Sequence, residues 1–193
     1  MKNKLAFVRQ FCKEPTKIGA VAASSENLAA KMVEPIDFAR TKVLVEYGSG
    51  TGVFTKYIFG KINKDKTLFF SFELNDEMIC IARQNVPEIC IYKDSAEQLR
   101  KYLKQNDVKH ADAVISGLPW AIFPEELQDA ILYETKMGLK KGGVFTTFAY
   151  IHGLMLPAGV RFRKKLCDTF SEVKTSPIVW GNIPPALVYW CKK

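Results

Sequence analysis

The segment Val43-Leu44-Val45-Glu46-Tyr47-Gly48-Ser49-Gly50-Thr51-Gly52 constrains the fold more than any other part of the chain. Its apolar start predicts a buried strand, and the alternating glycines predict a sharp turn directly after it. That order suits a nucleoside-bearing cofactor at the carboxyl end of the first strand of an α/β sheet. The glycines let the backbone turn tightly and approach a ligand with no Cβ in the way.

Two cofactor classes fit such a turn, and the acid decides between them. The dinucleotide fingerprint G-x-G-x-x-G requires a third glycine where this chain has Val53. An acid two places before the first glycine also repels pyrophosphate and attracts a cation. S-adenosylmethionine carries a sulfonium and an ammonium and no phosphate. The run from Glu46 through Gly48, Ser49, Gly50, Thr51 and Gly52 therefore resembles the first motif of class I S-adenosylmethionine-dependent methyltransferases. The competing reading is a glycine-rich turn with no ligand.

From Lys42 onward, strand and helix signals alternate. The patterns predict strands over Val43–Tyr47, Thr67–Phe72, Ile89–Tyr92, Ala111–Ser116 and Val144–Tyr150. Helices are predicted over Val53–Phe59, Glu77–Asn85, Ala96–Lys104, Glu125–Met137 and Arg161–Phe170. Two closing strands, Val173–Trp180 and Leu187–Cys191, flank Gly181-Asn182-Ile183-Pro184-Pro185. The expected fold is α/β: a doubly wound, mostly parallel, seven-stranded Rossmann-like sheet with helices on both faces. Before it, Lys2–Glu14 has a helical period ending at Pro15, and Ser24 or Ser25 is positioned to cap a helix through Leu28, Ala29 and Met32. This gives one domain over 1–193, with a helical extension at 1–36 and a catalytic core at 37–193. The uncharged stretch Gly142–Val160 reads as a strand plus a loop rather than a membrane span, because threonines, a histidine, a proline and glycines interrupt it.

Further acids recur at strand ends. Glu73 follows the second strand, where a carboxylate would chelate two ribose hydroxyls, and Leu74 is placed to pack on adenine. Asp94 follows the third strand, where it could accept from the adenine amino group or cap the next helix, with a Ser95 or Ala96 amide meeting a ring nitrogen. The fourth strand runs into Ser116-Gly117-Leu118-Pro119-Trp120. This is a rigid turn expected to offer backbone carbonyls and an aromatic wall beside the reactive methyl, with Ser116 also near the cofactor.

Adenine amino-methyltransferases usually begin that tetrad with Asn or Asp, whose side chain holds the target amine. Here the position is Gly117, which has none. Ser-Gly-Leu-Pro instead resembles the soluble, Rhodobacter-type bacterial phospholipid N-methyltransferases. The likeness runs end to end. It includes Phe7, Phe11, Pro15, Ile18-Gly19-Ala20 and Ser24-Ser25 at the start, and Asn182-Ile183-Pro184-Pro185-Ala186 at the close. Ala23 departs from it, standing where the family usually has proline. The resemblance implies methyl transfer to the amine of a phospholipid headgroup such as phosphatidylethanolamine, toward phosphatidylcholine, with relatives acting on other amino lipids. Rival readings are an RNA adenine methyltransferase and a soluble small-amine methyltransferase; a chain of this length is expected to lack the helical domain of rRNA adenine dimethyltransferases.

The charge balance agrees with an anionic partner. The chain has 193 residues and a formal net charge of +8, which suits nucleic acid, an anionic membrane or a phosphate-bearing substrate. Lys2, Lys4, Arg9, Lys13 and Lys17 on the first helix could meet anionic headgroups while Leu5, Phe7 and Phe11 enter the interface, or those apolar residues could cover the core. The expected location is cytoplasmic, peripheral to the inner membrane face. Five scattered cysteines without C-x-x-C pairs suit reduced thiols, and no zinc-site spacing occurs. No signal peptide is expected. Tyr150 and His152, just after the fifth strand, are candidates for the amine pocket, proton acceptance or phosphate contact. Arg161, Arg163, Lys164 and Lys165 are placed to meet lipid phosphate or lie on a solvated helix face. Asn182 could orient a loop over the substrate or serve as a turn former.

Overall fold

The computed structural model describes residues 25–193. The expected first helix, its basic residues, Pro15, Ile18–Ala20 and Ser24 lie outside the described residues.

Seven strands form one sheet: β1 (Val43–Tyr47), β2 (Leu68–Phe72), β3 (Cys90–Tyr92), β4 (Ala111–Ser116), β5 (Leu139–Tyr150), β6 (Glu172–Thr175) and β7 (Ala186–Lys192). Their spatial order is β3-β2-β1-β4-β5-β7-β6. The first five pair in parallel, and β7 runs antiparallel to both β5 and β6. Strand β1 is central and buried at all five positions, as a parallel strand covered on both faces must be. Val43, Val45 and Tyr47 pack to one side of it and Leu44 to the other.

On the Leu44 side lie α1 (Glu26–Val33), α2 (Val53–Phe59) and α3 (Asp76–Asn85), contributing Leu28, Met32, Ile58, Ile79 and Ala82. On the other side lie α4 (Leu99–Gln105), α5 (Glu125–Gly138) and α7 (Pro157–Thr169), contributing Leu103, Leu127, Ile131, Phe162 and Leu166. Ser25 caps α1, accepting from the Leu28 amide at 3.2 Å. A short α6 (Ile151–Leu154) links β5 to α7. Among the described residues no helix is long and apolar enough to cross a membrane.

The doubly wound, mostly parallel sheet is as expected; several boundaries differ. Strand β5 starts at Leu139, ahead of Val144, because Leu139 pairs with Ala111 and the Gly142 amide donates to the Lys193 carbonyl at 2.8 Å. Helix α7 starts at Pro157, whose ring suits the first helical position. A Cβ on Gly159 would fall 2.2 Å from the Gly153 carbonyl oxygen, so close packing of α6 on α7, rather than a loop, explains that glycine. Strand β6 ends at Thr175 instead of reaching Trp180, since Pro177 has no amide to give; past Thr175 the Ser176 amide still donates to the Val188 carbonyl at 2.9 Å and the isolated Val179–Ala186 bridge follows. The segment expected as one helix from Ala96 opens with a turn of 3₁₀ helix, Ala96–Gln98, before α4.

Candidate active site

The register brings four strand ends level. Tyr47 is opposite both Phe72 and Ser116, and Phe72 is opposite Tyr92. The next residue of each strand then continues the ladder by one bond. The Gly117 amide donates to Tyr47 at 2.8 Å, the Gly48 amide to Phe72 at 2.8 Å, and the Glu73 amide to Tyr92 at 3.2 Å. Gly117, Gly48 and Glu73 therefore stand in a row along the carboxyl edge of the sheet.

The turn after β1 takes left-handed backbone at Gly48, Gly50 and Gly52. At Gly48 the need is twofold: φ is +73°, and a Cβ would lie 3.0 Å from Leu118 Cδ2. Its neighbour Gly117 is equally tight, since a Cβ there would lie 3.0 Å from the Gly48 carbonyl oxygen and 3.5 Å from the Phe54 ring. The two turns thus approach each other closely, helped by the missing Cβ at each position.

Glu46 is completely buried on the α2 side of β1. The Thr55 hydroxyl donates to its Oε2 at 2.7 Å, while Oε1 has no partner. Burial pushes its pKa up to about 8, against the Thr55 hydrogen bond that lowers it, and the Glu73 charge adds to the rise. The group is thus mostly protonated at neutral pH, a departure from the simple carboxylate that its place in the motif suggests. Ser49 Oγ is likewise buried without a partner.

Glu73 ties two loops together. Its Oε2 accepts from the Gly50 amide at 3.0 Å, and its Oε1 accepts from the amides of Leu74 at 2.7 Å and Asn75 at 3.0 Å. Asn75 in turn caps α3, accepting from the Glu77 amide at 2.8 Å. Leu74 is half-buried beside this carboxylate. The Thr51 carbonyl accepts from the Asn85 amide side chain at 2.8 Å, so α3 also braces the glycine turn.

Asp94 follows β3, and its Oδ1 accepts from the Ser95 amide at 2.8 Å. Its Oδ2 accepts from Lys101 Nζ and the Tyr102 hydroxyl, each at 3.0 Å. Burial acts to raise its pKa, but the hydrogen bonds from Lys101, Ser95 and Tyr102 outweigh that and hold it below the usual carboxylate range. The cap of the following turn is Ser95, whose hydroxyl accepts from the Glu97 amide at 3.2 Å.

The turn after β4 is built around Ser116. Its buried hydroxyl accepts from Trp120 Nε1 at 3.1 Å and from the Leu118 amide at 3.4 Å, and its carbonyl accepts from Thr147 Oγ1 at 3.1 Å. Ser116 thereby shapes the turn that carries Gly117, Leu118 and Pro119. Buried Gln128, on α5, donates through Nε2 to the carbonyls of Trp120 at 2.8 Å and Phe123 at 3.0 Å. Sequence reasoning missed Gln128 and Thr55. The available signal for Gln128 was an amide interrupting the apolar stripe of Leu127, Ile131 and Leu132.

Tyr150 ends β5, and His152 lies within α6; their rings stack 5.7 Å apart at 9°. An aromatic row continues inward, with Phe148 5.4 Å from Tyr150 and Phe54 6.0 Å from Phe148. Burial raises the Tyr150 phenol pKa. The row thus runs from the Gly117 turn out to the exposed His152. Asn182 sits elsewhere: its Oδ1 accepts from the Ser25 amide at 2.9 Å and its Nδ2 donates to the Pro184 carbonyl at 2.7 Å, binding its own loop to the start of α1. On α7, Arg161 pairs with Glu125 and Lys164 with Asp168, while Lys165 lies between Asp129 and Glu125. Among the described residues no cluster of His, Cys, Asp or Glu could hold a metal ion.

These residues fit S-adenosylmethionine. Gly50 leaves open space above a left-handed turn, and Glu73 offers remaining lone pairs to hydroxyl donors. When bound, that cofactor supplies a methyl group on a positively charged sulfur. The Gly117 turn, free of a side chain, offers no amide or acid to an incoming amine.

No family model matches the chain. It is 29% identical over 195 residues to an ornithine lipid N-methyltransferase of Singulisphaera acidiphila, covering 100% of this chain and 97% of that protein. Among solved structures it resembles an O-methyltransferase from Bacillus cereus in complex with SAH, at TM-score 0.69 and 12% identity over 99% of this chain and 91% of that one. It also resembles the N-methyltransferase NodS of Bradyrhizobium japonicum, at TM-score 0.65 and 12% identity over 87% and 92% of the two chains. An rRNA methylase from Streptococcus thermophilus gives TM-score 0.60 and 16% identity over 86% and 93%. By its sheet order and these structural likenesses, the chain has the fold of the class I methyltransferases.

Proposed function

We propose that this protein uses S-adenosylmethionine to methylate the amine of an amino lipid at a membrane surface. The observation that carries the reading is the full-length likeness to a lipid N-methyltransferase. The site supports it: at Gly117 the transfer turn lacks the amide or acid that would hold an adenine amine, and an aromatic row leads from that turn to the surface. Gly48, Gly50 and Glu73 hold the nucleoside, Leu74 and Asp94 flank the base, and the turn from Ser116 to Pro119 positions the acceptor. Direct in-line transfer needs a neutral amine, so a proton must leave the alkylammonium first, and alignment then supplies most of the acceleration. Tyr150 and His152 stand at the mouth of that path. Ornithine lipid and phosphatidylethanolamine are the two acceptor candidates.

The test is expression in a host that makes both lipids but methylates neither, followed by lipid mass spectrometry. Added 14-Da increments on one of the two lipids are expected and identify the acceptor. Radiolabel passing from the cofactor to RNA, with both lipids unlabelled, overturns the reading.

A further inference from the structure

Two exposed apolar groups flank the carboxyl edge of β5. One is the corner between α6 and α7, where Met155 is 90% exposed and Leu156 and Val160 are each more than half exposed. The other is the loop between β6 and β7, where Trp180 is 71% and Ile183 79% exposed, with Ile178 beside them. The topology puts the two side by side. Tyr150, the last residue of β5, is opposite Ala186, the first of β7, and the Ile151 amide donates to the Pro185 carbonyl at 3.0 Å. Strand β5 runs parallel to β4, so this is the edge that also carries Gly117 and Gly48.

A protein surface has no internal reason to present a tryptophan, a methionine and three aliphatic side chains at the mouth of its site. Mixed tryptophan and aliphatic residues beside cations are the composition of a surface that sits in a bilayer interface. The charge complements an anionic bilayer. The chain carries +8 overall. Exposed Arg163, one turn beyond Val160 on α7, makes no ion pair among the described residues, unlike Arg161, Lys164 and Lys165 on the same helix.

We infer that Met155, Leu156, Val160, Trp180 and Ile183, with Arg163, form the surface that docks this protein on an anionic lipid bilayer. The inference uses none of the basic residues 2–17 and rests on the amino-lipid reading above. It brings the site edge against the membrane, so that a headgroup amine reaches Gly117 while its acyl chains stay in the bilayer.

The test uses the full chain. In flotation with vesicles of phosphatidylglycerol and phosphatidylcholine, the combined Met155→Ser, Leu156→Ser, Trp180→Ser and Ile183→Ser variant should bind at least about tenfold more weakly than the parent. Its transfer to a short-chain, monomeric amino lipid should be unchanged. Brominated acyl chains should quench the parent's tryptophan emission through Trp180, because Trp120 is buried and the Trp190 indole donates to the Lys31 carbonyl at 2.9 Å. If the fourfold variant does not fold, Met155→Ser with Leu156→Ser alone takes its place. Leu156 is the N-cap of α7, where serine is favoured. Flotation equal to the parent, or a floating parent whose emission bromine does not quench, overturns the inference. So does a concentration-dependent dimer that the variant loses, since a second copy would then cover the patch. A parent that binds vesicles through these residues yet methylates no amino lipid, monomeric or membrane-bound, overturns the functional reading and leaves the docking surface standing.

Discussion

Glu46 lies in an environment that opposes its charge. Its carboxyl is fully buried, with one oxygen held by Thr55 and the other unpartnered. Burial lifts its pKa from 4.5 in the unfolded chain to about 8. A folded-state pKa above the unfolded value means that the folded protein keeps a proton the unfolded chain has lost. The stabilisation is fully present below the unfolded pKa and disappears as pH rises through the folded one. The melting temperature of the free protein should therefore fall between about pH 5 and about pH 9, and Glu46→Gln, which cannot ionise, should remove most of that fall. An equal slope in the variant, measured by thermal unfolding across that range, refutes the account. A cation held near Glu46 favours the ionised form. Cofactor binding near neutral pH should then release a proton, seen as binding heats that change with the buffer's ionisation enthalpy.

Among the elements, α5 acts on the transfer turn through one side chain. Gln128 donates to two buried carbonyls, and Trp120 passes the constraint to the Ser116 hydroxyl. Gln128→Leu keeps the volume but removes both hydrogen bonds, at about 0.5–1.5 kcal/mol each, and leaves the Trp120 carbonyl to the Phe123 amide at 3.1 Å. The melting temperature should drop by several degrees. Turnover should fall more than cofactor affinity, because the Gly48 and Glu73 loops do not depend on Gln128. Equal losses in both, or an unchanged turnover in the folded variant, would show that α5 merely packs. Where an element's limits were set by its own residues, the sequence revealed them: β1 and α2 are bounded by the glycine turn, and β4 ends at Gly117. Other limits came from partners distant in the chain. Lys140-Lys141-Gly142-Gly143 reads locally as a turn but joins β5 because Lys193 supplies a partner. Gly159 reads as a loop but stays in α7 because α6 leaves no room for a Cβ.

Across the whole molecule, parallel pairing turns the sequence order of Gly48, Glu73, Asp94 and Gly117 into one edge of the sheet, and that much follows from strand–helix alternation alone. How each acid is held does not, since it depends on neighbours from other units: Gly50 for Glu73, Thr55 for Glu46, and Lys101 with Tyr102 for Asp94. Because that edge joins the β1 and β2 loops through Glu73, cofactor binding should stabilise the entire fold. At a cofactor concentration about a hundredfold above its Kd, linkage gives about 2.7 kcal/mol. For a domain of this size that is a rise of roughly 5–10 °C in melting temperature. Glu73→Ala removes the acceptor for three loop amides together with the carboxylate proposed to hold the ribose, so the free variant should melt earlier. The decisive quantity is the cofactor-induced shift, which should shrink to near zero at the same concentration. Glu73→Gln separates the two roles: it keeps an acceptor for the amides and so restores most of the free protein's stability, yet it offers only one oxygen to a pair of hydroxyls and should recover only part of the shift. A full shift in Glu73→Ala would remove the ribose assignment, and with it the link between this sheet edge and the nucleoside.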